Sequence, residues 1–133
     1  MYHYLEQFIS KVRAGIPVSF SDTLCVIHAY YEYHPVRFSN GLGEDCYINE
    51  AGMNEGSCRL FYFARLHNLN SAETLHLFGS YYYEDVLGHP DGQDHINIRT
   101  FIRYGWPGLF HNDGNPACLV LRAEPLTVTS ESS

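Results

Sequence analysis

The stretch from Ser57 to Leu69 constrains this chain most. Cys58, Phe61, Leu66 and Leu69 fall near one face of a helix, and Leu60 and Phe63 widen that face. A helix apolar over such breadth is buried on most sides, so this one is expected to lie at the centre of the fold. The chain has 133 residues, which fits one domain. About two-thirds of the surface of an unfolded chain this long is buried on folding, enough for a self-sufficient core. With 11 Tyr and 8 Phe, that core is aromatic-rich with hydroxyls at its margin. The expected domain spans 1–126, and the polar run 127–133 is expected to be a disordered tail.

Further helices are predicted around the central one. Leu5, Phe8, Ile9 and Val12 form one stripe at i, i+3, i+4, i+7 over Tyr4 to Arg13, ended by Gly15 and Pro17. Ser21 or Ser19 can cap a second helix, Asp22 to Tyr31, with Leu24, Ile27, His28 and Tyr31 on one face and His34-Pro35 as the break. Asn70-Ser71 opens another, with Glu73 in its first turn, and Gly79 ends or kinks it. Tyr81 to Leu87 reads as a short helix. His95 to Tyr104 reads as the last, with Asp94 as its cap and Gly105 as its stop. Leu42 to Gly56 has little periodicity and reads as an ordered loop. Ser39-Asn40-Gly41 reads as a turn. Leu109-His111 and Cys118-Leu121 flank a turn-rich loop and read as a β-hairpin, to which Val36-Phe38 can add a third strand. The expected class is α+β, mainly helical: five or six helices packed with a small antiparallel hairpin or three-stranded sheet.

Charge excludes some partners. The net charge is -7, and the 8 basic residues are scattered, seven of them Arg. Without a basic stripe the chain is not expected to bind nucleic acid, whose phosphates supply most of such affinity. An anionic membrane surface is disfavoured for the same reason. No apolar run approaches the ~20 residues that span a bilayer. Met1 to Glu6 lacks the basic and apolar regions of a secretory signal. Cys25, Cys46, Cys58 and Cys118 form no C-x-x-C pair and read as free thiols in a reducing cytoplasm.

Three constellations can carry chemistry. The first joins the polar loop residues Asn49, Glu50 and Asn54 to Asp94, His95, Asn97 and Arg99 at the last helix start. Four polar groups packed into six positions destabilise a fold if buried without partners, so they build either an internal network or a ligand site. His95, near the positive end of the helix dipole, is favoured in its neutral form, a base or a metal ligand. The second is Cys58 with His95 as its base. A thiol in a helix's first turn gains nucleophilic fraction, although a small buried hydrophobe is the plainer role for Cys58. The third is a divalent metal held by His89, Asp91, Asp94 and His95, with Glu50 joining from the loop. In addition, Phe78 to Asp85 can form an aromatic platform, and Asp85 can pair with Arg99 or Arg103.

Several motifs taken together resemble the HopJ family of type III effectors: Asp22-Thr23, Ser39-Asn40-Gly41, Asn49 to Cys58, Leu66-His67, Phe78-Gly79 with Tyr81-Tyr82, Asp85-Val86-Leu87, Pro90, Asp94-His95-x-Asn97-Ile98-Arg99 and Gly105-Trp106. The resemblance spans roughly Leu5 to Leu126. It implies a fold and delivery into a host by a type III system, and names no reaction. The leading expectation is a small cytoplasmic protein that binds a small molecule or protein partner at the Asn49-Glu50 loop and the Asp94-His95 helix start. The alternatives are a Cys58/His95 hydrolase or acyltransferase, and a secreted effector acting on a host protein.

Overall fold

The computed structural model describes residues 2–126, so the tail expected at 127–133 lies outside the described residues. The fold is mainly helical α+β, as the sequence pattern predicts. Helices α1 (His3–Arg13), α2 (Phe20–Tyr30), α3 (Glu55–Leu66), α4 (Ser71–His76) and α5 (Ile96–Tyr104) are joined by a π-helical turn at Tyr81–Val86. Strands β1 (Tyr31–Tyr33), β2 (Phe38–Asn40), β3 (Tyr47–Asn49), β4 (Leu109–His111) and β5 (Leu119–Leu121) form one sheet of two strands and one of three.

The predicted α1 stripe is the buried one: Leu5, Phe8, Ile9 and Val12. In α2 the cap is Ser19. Its Oγ accepts from the Asp22 N–H at 2.9 Å while the Asp22 carboxylate accepts from the Ser19 N–H at 3.2 Å. This reciprocal box starts the helix at Phe20 and rotates its inner face to Thr23, Val26, Ile27 and Tyr30, leaving His28 exposed. Thr23 is buried because its hydroxyl donates to the Leu77 carbonyl at 2.8 Å.

The expected hairpin does not form. β4 pairs with β2, and β5 pairs with β1. Residues 31–40 run antiparallel to 121–109 as one interrupted ribbon. The His34 N–H donates to Cys118 C=O and the Asn112 N–H donates to Arg37 C=O, so Pro35-Val36 lies opposite the longer 113–117 loop. Pro35 has no N–H to continue the ladder, which breaks the ribbon there. Phe38–Asn40 is the third-strand segment, shifted from the expected Val36–Phe38, and the turn falls at Gly41, whose φ is 102°. The expected loop 42–56 contains a 3-10 turn (Gly43–Asp45) and β3, which pairs with β2.

α3 is the central helix. Leu60, Phe61, Phe63 and Ala64 are fully buried. The Phe61 ring packs on Phe101 at 4.9 Å, on Phe78 at 5.4 Å and on Trp106 at 6.5 Å between centroids. Leu66, expected inward, is 46% exposed, because the helix ends there and Asn68 turns the chain left-handed (φ 56°). That reversal returns Leu69 to the core.

Candidate functional site

A chain of amides ties the sheet to two helix starts. Asn49 ends β3 and Asn97 lies in the first turn of α5, and both are buried. Their amides pair reciprocally: Asn97 Nδ2 donates to Asn49 Oδ1 at 2.9 Å and Asn49 Nδ2 donates to Asn97 Oδ1 at 3.1 Å. Asn40 Nδ2, from β2, donates to the Asn97 backbone carbonyl and side-chain oxygen at 2.9 and 3.1 Å. Asn54 Nδ2 donates to Asn49 Oδ1 at 2.7 Å and so joins the start of α3. Among the described residues, Asn40 Oδ1 is the one buried amide atom of the network without a partner; the bonds that are made fix the arrangement of the elements that carry them. Glu50 does not belong to the network. It follows the last residue of β3, and its exposed carboxylate lies 3.6 Å from Arg37 Nε.

The second cluster is ionic and nearer the surface. Asp94 does not cap α5; the residue just before the helix is His95, held left-handed at φ 50°, and no side chain caps it. His95 Nε2 lies 2.9 Å from Asp85 Oδ2 and 3.8 Å from Asp94 Oδ2. Arg99 closes the loop ahead of the helix. It donates to the Asp94 carboxylate and the Asp94 carbonyl, both at 2.6 Å, and to the His89 carbonyl at 2.8 Å. Gly92 allows this approach, since a Cβ there would sit 2.5 Å from Arg99 Nη2. The hydrogen bond from Arg99 holds the Asp94 carboxyl below its ordinary range. Asp85 meets Arg99 through its carbonyl and reserves its carboxylate for His95, while Arg103 pairs with Asp45 at 3.3 Å.

Of the residues considered for a metal, only Asp94 and His95 come together. With Asp85 they bring three ligand atoms within 4.8 Å of one another. Among the described residues, the side chains of His89, Asp91 and Glu50 add nothing to that group.

Between the two clusters lies a cavity of about 400 Å³, lined by Asn54, Gly56 and Ser57 of the α3 start and by His95, Ile96 and Asn97 of the α5 start. Phe20, Tyr47, Phe78 and Tyr81 supply aromatic walls. The Phe20 and Phe78 rings stack at 5.9 Å, and the Tyr81 ring lies 4.9 Å from the His95 ring. Neither helix start carries a side-chain cap. The first N–H groups of a helix have no partner within the helix, so such ends favour hydrogen-bond acceptors. Of the expected aromatic platform, Phe78 and Tyr81 reach this cavity.

Cys58 and His95 are not a pair. The Cys58 thiol is buried and lies 3.8 Å from Cys118 Sγ and 3.7 Å from the Val36 carbonyl. The imidazole beside it is His111, whose Nε2 donates to the Cys58 carbonyl at 3.0 Å. Cys118 and His111 were not among the sequence candidates, because no spacing in the chain predicts that the α3 start and the 111–118 loop meet.

The sequence profile of a family described as HopJ type III effector protein matches residues 5–115. A solved chain described as the crystal structure of the unknown-function protein VPA0580 superposes with a TM-score of 0.80 and 38% sequence identity. That likeness covers 89% of this chain and 93% of the other. No curated protein matches. The motifs, the family match and the shared fold agree: the chain belongs to the HopJ type III effector family.

Proposed function

We propose that this chain is a small ligand-binding domain whose site is the cavity between the α3 and α5 starts. The observation that carries the reading is the convergence of two uncapped helix starts on one partly aromatic cavity. Asn54, His95 and Asn97 line it. Asn49 braces it from the sheet, and Asp85, Asp94 and Arg99 brace it from the π-turn side. The donor-rich rim favours a small planar molecule bearing acceptor oxygens, its ring against Tyr81 and Phe78. The test is a fragment screen followed by backbone amide shifts. Carboxylate- or phosphate-bearing aromatic fragments are expected to move the Gly56, Ser57, Ile96 and Asn97 resonances, and His95→Asn is expected to abolish the effect. Shifts confined to other surfaces, or none at millimolar fragment, count against the site.

A divalent cation is a second reading, supported by the spacing of Asp85, Asp94 and His95. The Arg99 guanidinium on Asp94 opposes it, since a cation must compete with that charge. Titration calorimetry with zinc, manganese and magnesium decides it, and an absence of heat ends it. The family description supports a third reading, delivery into a host and action on a host protein. A translocation reporter fused to the chain tests export. Among the described residues no helix is long and apolar enough to cross a membrane.

A further inference from the structure

Cys58 and Cys118 come from distant parts of the chain and meet in the core, one on α3 and one just ahead of β5. Their sulfurs are in contact at 3.8 Å, and both residues are at most 1% exposed. Cys25 and Cys46, by contrast, are exposed. His111 stands over the pair. Its Nε2 must carry hydrogen to donate to the Cys58 carbonyl, which leaves Nδ1 as a buried acceptor without a partner. Two cavities, of about 300 and 240 Å³, are lined by His111, although neither thiol lines them, so a hydroperoxide reaches the sulfurs only when the 112–118 loop opens. Asp113 accepts from the Cys118 N–H at 2.9 Å and anchors the loop that carries it.

We propose that Cys58 and Cys118 form a redox-active dithiol that a small hydroperoxide converts into an internal disulfide, with His111 as the proton acceptor. Cys58 is the attacking sulfur: it lies in the first turn of α3 with His111 on its own carbonyl, and the hydrogen bond from Cys118, supported by His111, lowers its thiol pKa against the opposing effect of burial. The hydrogen bond to Cys58, then burial, pushes the Cys118 thiol up, with the Asp113 charge adding to this and Arg59 opposing it. Cys58 gives its proton to His111, and its thiolate attacks the peroxide oxygen, breaking the O–O bond. The leaving oxygen takes the proton back from His111 and departs as water or an alcohol. The Cys118 sulfur then attacks the Cys58 sulfenic acid. The S–S bond forms, the S–O bond breaks, and the hydroxyl leaves as water with the Cys118 proton. The dithiol loses two electrons and two protons, and the peroxide is reduced. The sulfurs must close to about 2.05 Å for this bond, and the irregular 112–118 loop is the part that can move.

The experiment is disulfide mapping by mass spectrometry on the Cys25→Ser/Cys46→Ser chain after hydrogen peroxide treatment and alkylation. One linked peptide pair, Cys58 to Cys118, is expected, with a mass loss of two hydrogens reversed by dithiothreitol. In Cys118→Ser a sulfenic acid should be trapped at Cys58 by dimedone. His111→Gln should slow linkage at least about tenfold, the effect of losing a positioned base. The same mapping on the unsubstituted chain controls for folding. If Cys58 and Cys118 remain alkylatable while Cys25 and Cys46 oxidise, the proposal is overturned. Oxidation of Cys58 without a link to Cys118 overturns it equally.

Discussion

Asn54 and His95 each hold a φ of 50° just before a helix, and each lines the same cavity. Their side chains are satisfied in opposite ways. Asn54 donates into a buried amide chain that runs through Asn49 to Asn97. His95 reaches outward to Asp85, whose side chain is 46% exposed. The buried Asn49–Asn97 pair is held away from water, so losing it leaves buried amide groups under-satisfied and costs the fold stability. The His95–Asp85 pair is partly exposed and screened by water, so breaking it leaves the fold nearly intact. Two polar segments, the Asn49–Asn54 loop and the Asp94–Arg99 helix start, were expected to form a single site. The contrast divides it into a scaffold and a candidate binding edge.

The largest effect expected is that of Asn97→Ala. It removes the reciprocal pair, leaving Asn49 Nδ2 only the Phe38 carbonyl at 3.4 Å and Asn40 Nδ2 only the residue-97 main-chain carbonyl, a loss of about 2–3 kcal/mol. A urea midpoint shifted by less than about 1 kcal/mol equivalent would break the scaffold half of the comparison. Next comes Arg99→Ala. It frees the carbonyls of His89 and Asp94 and removes a mostly buried guanidinium stem, for about 1–2 kcal/mol. Hydrogen exchange should then rise across residues 85–94 while α5 keeps its protection.

A paired glycine test sharpens the contrast. Glycine adopts the left-handed conformation without strain, which offsets the loss of the partly exposed pair with Asp85, so His95→Gly should leave stability unchanged or slightly raised while removing fragment binding. Asn54→Gly keeps the backbone but loses the bond to Asn49, and should be destabilised by about 1 kcal/mol. Equal thermal shifts for the two variants would erase the distinction between the helix starts.

Acid gives the smallest effect and the same ordering. The folded-state pKa of Asp94 is lowered by Arg99, so its contribution is present above the unfolded value of 3.8 and is lost as pH falls through the folded one. The amide chain does not titrate. Amide exchange in strong acid should therefore loosen 85–95 before Asn49 and Asn97. His67 acts at higher pH. Burial, then Arg13, lowers its pKa, so global stability declines as pH falls below the unfolded value of 6.5. His67→Phe should flatten that decline.

The helices were the part of the fold most readable from sequence. The α1 stripe, the Asn70 cap with Glu73 and the Gly105 stop are local signals acting within a few residues. The amide partners were harder. Asn40 read as a turn residue, and only its burial against Asn97 reveals a network member. Glu50 was grouped with its neighbour because spacing along an irregular loop does not say which face a residue takes.

By itself the sequence determined the α1 stripe, the Asn70 cap, the stop at Gly105 and the family to which the chain belongs. These depend on backbone geometry and side-chain chemistry over one or two turns. Tertiary structure alone decided that β4 joins β2 rather than β5, that His111 and not His95 stands beside Cys58, and that two uncapped helix starts share one cavity. Each of these joins segments tens of residues apart. Burial of the shared apolar core selects such pairings, and it depends on the whole chain packing at once.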